Sequence, residues 1–176
     1  MISEAAAAHA NVNDLVYVAG FAPEVGEASF ALTDKFPGAT LGQALAPSVK
    51  LADGGEDLYI QIDKFPAQFA ADVPQAAARL MAAGQRPITK AAGEETAPHA
   101  AWKALPSWFI YGDGDKNIPP QAHAFMAQRA RSRQTVVIKG ASHVVMVSNP
   151  DAVASLIESA ALAVQAPMPL AAAVGM

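Results

Sequence analysis

Ser107–Pro120, SWFIYGDGDKNIPP, is an apolar run that stops at a Gly/Asp turn and a Pro-Pro pair. A continuous apolar run bounded by turn residues predicts a strand buried on both faces. Proline at a first helical position predicts that a helix opens at Pro119 or Pro120. The stretch therefore reads as a buried strand that delivers an aspartate. Thr135–Lys139, TVVIK, repeats the design: it ends in Gly140 and Ala141 and then presents Ser142 and His143. Between the two lies a predicted helix, Pro119–Ala130, with Phe125 and Met126 on its buried side. Strand, helix, strand in that order predicts a right-handed crossover and a parallel pair. Both strands then end at one edge of a sheet, where ligand sites of open α/β sheets collect, and an acid and a histidine face each other there.

Working outward, Leu15–Ala19, LVYVA, is a further short strand, ended by Gly20 and Pro23, and Met1–Ala10 reads as a helix already under way, with no capping residue in front of it. From Glu24 to about Trp102 the pattern changes to Gly, Pro and Ala with short amphipathic segments, the mark of an insertion into a core. Within it Ser48–Ala52 and Asp57–Ile62 flank Asp53-Gly54-Gly55, a small β-hairpin signal. Phe65–Ala71 and Pro74–Ala83 read as helices, the second with Gly84 past its end. A segment this long is expected to act as a lid over a site. After His143, Ser148 or Asn149 caps a final helix whose inward stripe is predicted as Val153, Leu156, Ile157 and Ala160. The residues from about 165 to 176 read as a loosely ordered tail. The reading is one α/β domain over residues 1–176.

Composition excludes several classes. Hydrophobic residues make up 52% and charged residues 16% of the 176, which fits a chain with a substantial core rather than a disordered one. The formal net charge is −4, and the only basic cluster, Arg129, Arg131 and Arg133, is read as compensating a helix C-terminus, so nucleic acid is not an expected partner. With no cysteine, disulfides, thiolate catalysis and sulfur-based zinc sites are excluded. No metal motif and no cofactor motif is expected from the histidine spacing. The N-terminus lacks the regions of a signal peptide, and the C-terminal apolar stretch, broken by Gln165, Pro167 and Pro169, falls short of the ~20 residues of a membrane span. A cytoplasmic protein without membrane contact is the expectation.

YGDGDKNIPP followed by GASHVVMVSNPDAV resembles the C-terminal half of the α/β-hydrolase family, in particular its small esterase branch of plant methylesterases and hydroxynitrile lyases. LVYVAGFAPEVGEAS and the hairpin LADGGEDLYI resemble that branch as well, so the likeness runs from Met1 to about Ala161. It implies a partial α/β-hydrolase fold: parallel strands with flanking helices and an inserted lid containing helices and a small β-hairpin. It also implies a Ser-Asp-His triad in which Asp115 matches the acid and His143 the base. The resemblance further implies that the nucleophile serine, normally on a G-x-S-x-G turn, lies about five residues upstream of Met1, and that the oxyanion-hole donors are missing with it. Those donors are worth ~3 to 4 kcal/mol each in barrier, so the chain alone is expected to have negligible esterase activity. Hydroxynitrile lyases of this branch have Lys right after the catalytic histidine. Val144 stands there, which favours ester hydrolysis.

Among competing residues, Asp113 stands beside Asp115 as a candidate acid, and either could instead cap a turn or helix. His9, His99 and His123 are expected in solvated or capping roles, and Ser142 and Ser148 sit on no nucleophile elbow. Phe65, Phe69, Leu80, Met81 and Trp102 could line a pocket for a small apolar ester or serve as ordinary packing. The family's nucleophile strand would lie beside Leu15–Ala19, so that strand is expected to present an unprotected edge that self-associates or docks an N-terminal half. A monodisperse monomer would count against this. The alternative function is a non-catalytic protein that binds ligands through the lid pocket or partners through that edge.

Overall fold

The computed structural model describes residues 2–165; the tail expected beyond Gln165 lies outside the described residues. In chain order the elements are α1 (Ile2–Ala7), β1 (Leu15–Val18), α2 (Ser29–Asp34), α3 (Leu41–Ala44), β2 (Val49–Lys50), β3 (Glu56–Leu58), α4 (Phe65–Phe69), α5 (Gln75–Ala83), β4 (Ile88–Thr89) and α6 (Lys90–Glu94). A 3₁₀ turn at Ala101–Lys103 leads into β5 (Ser107–Gly112), α7 (Pro120–Arg129), β6 (Gln134–Ile138), α8 (Val145–Ser148) and α9 (Pro150–Gln165).

The strand at the centre of the molecule is β5, buried at every position. It is parallel to β1 on one side and to β6 on the other, in the order β1-β5-β6. Side chains alternate across a strand, and here each face has its own cover. Phe109 packs with Leu15, Tyr17, Ala122 and Met126 on the α7 side, its ring stacked on Tyr17 at 4.6 Å. Trp108 and Ile110 pack with Val145, Val153, Leu156 and Ala160 on the α8 and α9 side. A strand covered on both faces has no polar side, which is why SWFIY reads as unbroken apolar sequence.

Three expectations change at the margins of this sheet. The β6 strand does not repeat the burial of β5: Thr135 is exposed and Val137 is 50% exposed, because β6 is an edge covered on one face only. Ile157, expected in the inward stripe of α9, is 47% exposed, while Val153, Leu156 and Ala160 are buried; the sheet is too narrow to cover a wider stripe. Arg129 does not serve its own helix end. Its Nη2 donates to the Ala22 carbonyl and to Glu27 Oε2, both at 2.6 Å, and its guanidinium lies over Trp102 and Phe125.

The inserted segment is built differently. The expected hairpin is present as β2 and β3, but a third strand, β4, also pairs antiparallel with β3. Two residues, Ile88 and Thr89, are too few to give a period-2 signal, so this strand had no legible pattern. The helices expected at Phe65–Ala71 and Pro74–Ala83 appear as α4 and α5, the latter closed by Gly84, whose N–H donates to the Leu80 carbonyl. The segment's apolar cluster consists largely of small side chains, Ala44, Ala70, Ala78 and Ala82 around Ile60, Phe65 and Val73, and it reaches Val144 beside His143.

Candidate active site

The site forms where β5 and β6 end. After β5, Gly112 approaches the backbone of Ala141 so closely that a Cβ at 112 would overlap the Ala141 carbonyl. Glycine is required there by contact. After β6, Gly140 turns the chain at φ +76°, a conformation glycine adopts without steric cost. The Gly114 N–H donates to the Ala141 carbonyl at 3.0 Å, and the Asp113 side chain accepts from the Gly140 N–H at 2.5 Å. Asp113 therefore ties the two loops together.

Asp115 has a different environment. Its residue is 3% exposed, and Oδ1 accepts the backbone N–H groups of Asn117 at 2.8 Å and Ile118 at 3.0 Å, in the turn that leads into α7. Its Oδ2 receives His143 Nδ1 at 2.8 Å and His123 Nε2 at 3.2 Å. Burial pulls this carboxyl up, but the hydrogen bonds it accepts from His123 and His143 outweigh it and hold the group well below the usual carboxylate range. The structure thus brings Asp115 and His143 together and leaves Asp113 outside the pair.

The His143 side chain is 19% exposed. With Nδ1 donating to Asp115, its Nε2 carries a lone pair, and no group among the described residues occupies that nitrogen. Phe69 of α4 meets the His143 ring edge-on at 4.8 Å. The same helix holds both loops: Gln68 Nε2 donates to the Lys116 carbonyl and Asn117 Oδ1, and Ser142 Oγ donates to the Phe69 carbonyl. Of the side chains considered for a pocket lining, only Phe69 reaches His143. Phe65 and Trp102 are buried in separate clusters, Met81 is partly buried against the Phe65 cluster, and Leu80 is 76% exposed.

Ser142 is buried with its hydroxyl donating to the Phe69 carbonyl, and the Ser148 hydroxyl donates to the Val144 carbonyl. Neither offers its oxygen to His143 Nε2. His9 and His99 are exposed, as expected, but His123 is not: it is 1% exposed, and its ring stacks on Tyr111 at 4.6 Å. Burial, working against the hydrogen bond His123 donates to Asp115, pushes the His123 imidazole down. A signal for this was in the sequence. With Met126 on the inner side of α7, residue 123 lies one turn earlier on the same face.

The alpha/beta hydrolase family is matched over residues 2–156, and the protein belongs to that family. No curated protein matches the chain. Among solved structures it resembles polyneuridine aldehyde esterase, with TM-score 0.68 and 13% identity over 89% of this chain and 65% of that one. A methylesterase from Arabidopsis superposes with TM-score 0.61 and 15% identity, over 86% of this chain and 60% of that one. A pyrethroid hydrolase from Sphingobium faniae gives TM-score 0.60 and 20% identity, over 94% and 66%. At these identities the likeness is one of fold, and the chain spans less than two thirds of each of these proteins. Among the described residues no group of three His, Asp or Glu side chains could hold a metal, and no helix is long and apolar enough to cross a membrane.

Proposed function

We propose that this chain carries the acid, the base and the lid of a carboxylic-ester hydrolase whose nucleophile serine and oxyanion-hole donors come from an N-terminal segment of the complete protein. The observation that carries the reading is the bond from His143 Nδ1 to the buried Asp115, which leaves Nε2 free on a partly exposed side chain. A hydroxyl at Nε2 would lose its proton to His143 as its oxygen attacks the ester carbonyl carbon. Asp115 stabilises the imidazolium that results. The proton then passes to the leaving alcohol, and water repeats the cycle on the acyl-enzyme. The solved structures of similar fold are named as esterases and hydrolases, and Phe69 beside His143 supplies an apolar wall suited to a small apolar ester.

The test is labelling with a fluorophosphonate and turnover of a short-chain p-nitrophenyl ester. The chain alone should show neither. A form extended at its N-terminus to include a serine elbow should show both, and His143→Ala in that form should reduce kcat by about 10⁴-fold or more. Labelling of the chain by itself, or an active His143→Ala variant, overturns the reading.

The second reading, a binding protein, has one observation in its favour: among the described residues β1 is paired only with β5, which leaves its other edge open there, with Val16 and Val18 half-buried. An open edge accepts another strand, either from the N-terminal segment or from a second copy. Size-exclusion chromatography of the chain should show association; a monodisperse monomer removes this surface from consideration.

A further inference from the structure

Asp115 is held unevenly. Two backbone N–H groups fix Oδ1, but the carboxylate torsion is a broad one, and Oδ2 faces a His143 whose own loop is partly open to solvent. The second donor to Oδ2 comes from a far more rigid place. His123 lies in the interior of α7, 1% exposed, with its ring held flat against Tyr111 at an interplanar angle of 13°. A carboxylate oxygen has room for two donors. We propose that His123 is a positioning residue: its Nε2–H bond pins Oδ2 so that the remaining lone pair receives His143 Nδ1–H, which fixes the tautomer that leaves His143 Nε2 free to take a proton. The inference rests on the reading of Asp115 and His143 as acid and base.

The chemistry favours histidine over a permanently charged donor here. A lysine or arginine at 123 would cancel the charge of Asp115 and repel the imidazolium formed on His143. A neutral imidazole donates without doing either, and burial keeps His123 neutral. The groups facing it are Asp115, His143 beyond it, and the Tyr111 ring. The nearest cations in sequence are both engaged elsewhere: Arg129 donates to Glu27, and Lys116 is turned outward to the Ala67 carbonyl.

The experiment is ¹⁵N-resolved imidazole NMR on the full chain, wild type beside His123→Phe and His123→Gln. Phenylalanine keeps a ring against Tyr111 but removes the donor; glutamine places an amide N–H near the position of Nε2. In the wild type, His123 should carry its proton on Nε2 and His143 on Nδ1. In His123→Phe, His143 should lose its preference and populate both tautomers, and His123→Gln should restore it. A wild-type His123 protonated on Nδ1 overturns the proposal even if neither variant folds; a folded His123→Phe chain with an unchanged His143 tautomer does so as well. These readouts need no nucleophile, so a failure of the hydrolase reading would show in the esterase assay and not here. In the extended, active form, His123→Phe should lower kcat about tenfold at unchanged KM, as expected for loss of one hydrogen bond to a charged group, with rescue by His123→Gln. Equal losses in both variants would assign His123 a packing role only.

Discussion

The parallel sheet and the inserted segment solve the same problem with opposite means. The sheet is held by large side chains buried on both faces of β5, whereas the insert is held by alanines, by strands two or three residues long and by side-chain hydrogen bonds. Phe109 and Ile110 are 1% and 0% exposed, yet Leu80 and Ile62 in the insert are 76% and 66% exposed. Apolar burial stabilises in proportion to area, ~25 cal/mol per Å², so the sheet carries most of the stability. The insert is attached to it where α4 grips the two active-site loops, where Leu32 and Trp102 join the cluster of Phe109 and Met126, and where Glu27 meets Arg129. The lesson is a division of labour: a rigid platform fixes Asp115, and a lighter cover places Phe69 against His143.

Substitutions can break or sharpen that contrast. The largest effect is expected for Phe109→Ala, which empties a site packed from both β1 and α7 and should cost about 4 kcal/mol in urea unfolding. Gly112→Ala should come next, at about 3 kcal/mol, because the new Cβ meets the Ala141 backbone, which cannot move without shifting the His143 loop. Its counterpart in the insert, Gly93→Ala, meets first the far end of the Phe30 ring. That ring can swing aside, so the loss should stay below about 1 kcal/mol. Leu80→Ala should change stability by no more than about 0.5 kcal/mol. Equal costs for Gly112→Ala and Gly93→Ala would mean that the two regions are equally rigid.

The pH dependence sharpens the same comparison, since the strongly shifted groups belong to the platform. Asp115 is held below its unfolded value of about 3.9. Its contribution is therefore present above that pH and is lost as pH falls toward the folded value. His123 is also depressed; the unfolded chain binds its proton first, so stability should begin to fall as pH drops through about 6.5. Thermal unfolding of the wild type should show both declines. His123→Phe should lack the upper one, and Asp115→Asn the lower one. A profile with no decline between pH 7 and 5 would show that His123 is not buried as a neutral group.

Much of this was legible locally. The order of strands and helices followed from apolar runs, proline at helix starts and glycine at turns, and the positions of Asp115 and His143 after two successive strands followed from the same punctuation. Such signals act over a few residues, and the sequence displays them directly. The insert was legible as an insert, and its hairpin and two main helices were visible; β4 was not, because two residues hold no period.

What the sequence determined by itself was therefore the chain of elements and the two loops that carry chemistry, since backbone sterics and side-chain periodicity are local. The tertiary structure decided what lies opposite each aspartate: His143 faces Asp115, the acid the resemblance implied, and Asp113 holds the Gly140 N–H. It also decided that His123 leaves solvent for the Asp115 carboxylate, that Arg129 turns to Glu27, and that Ile157 stays outside. Each of these depends on a surface brought up from a distant part of the chain, and on whether that surface is wide enough to cover the residue in question.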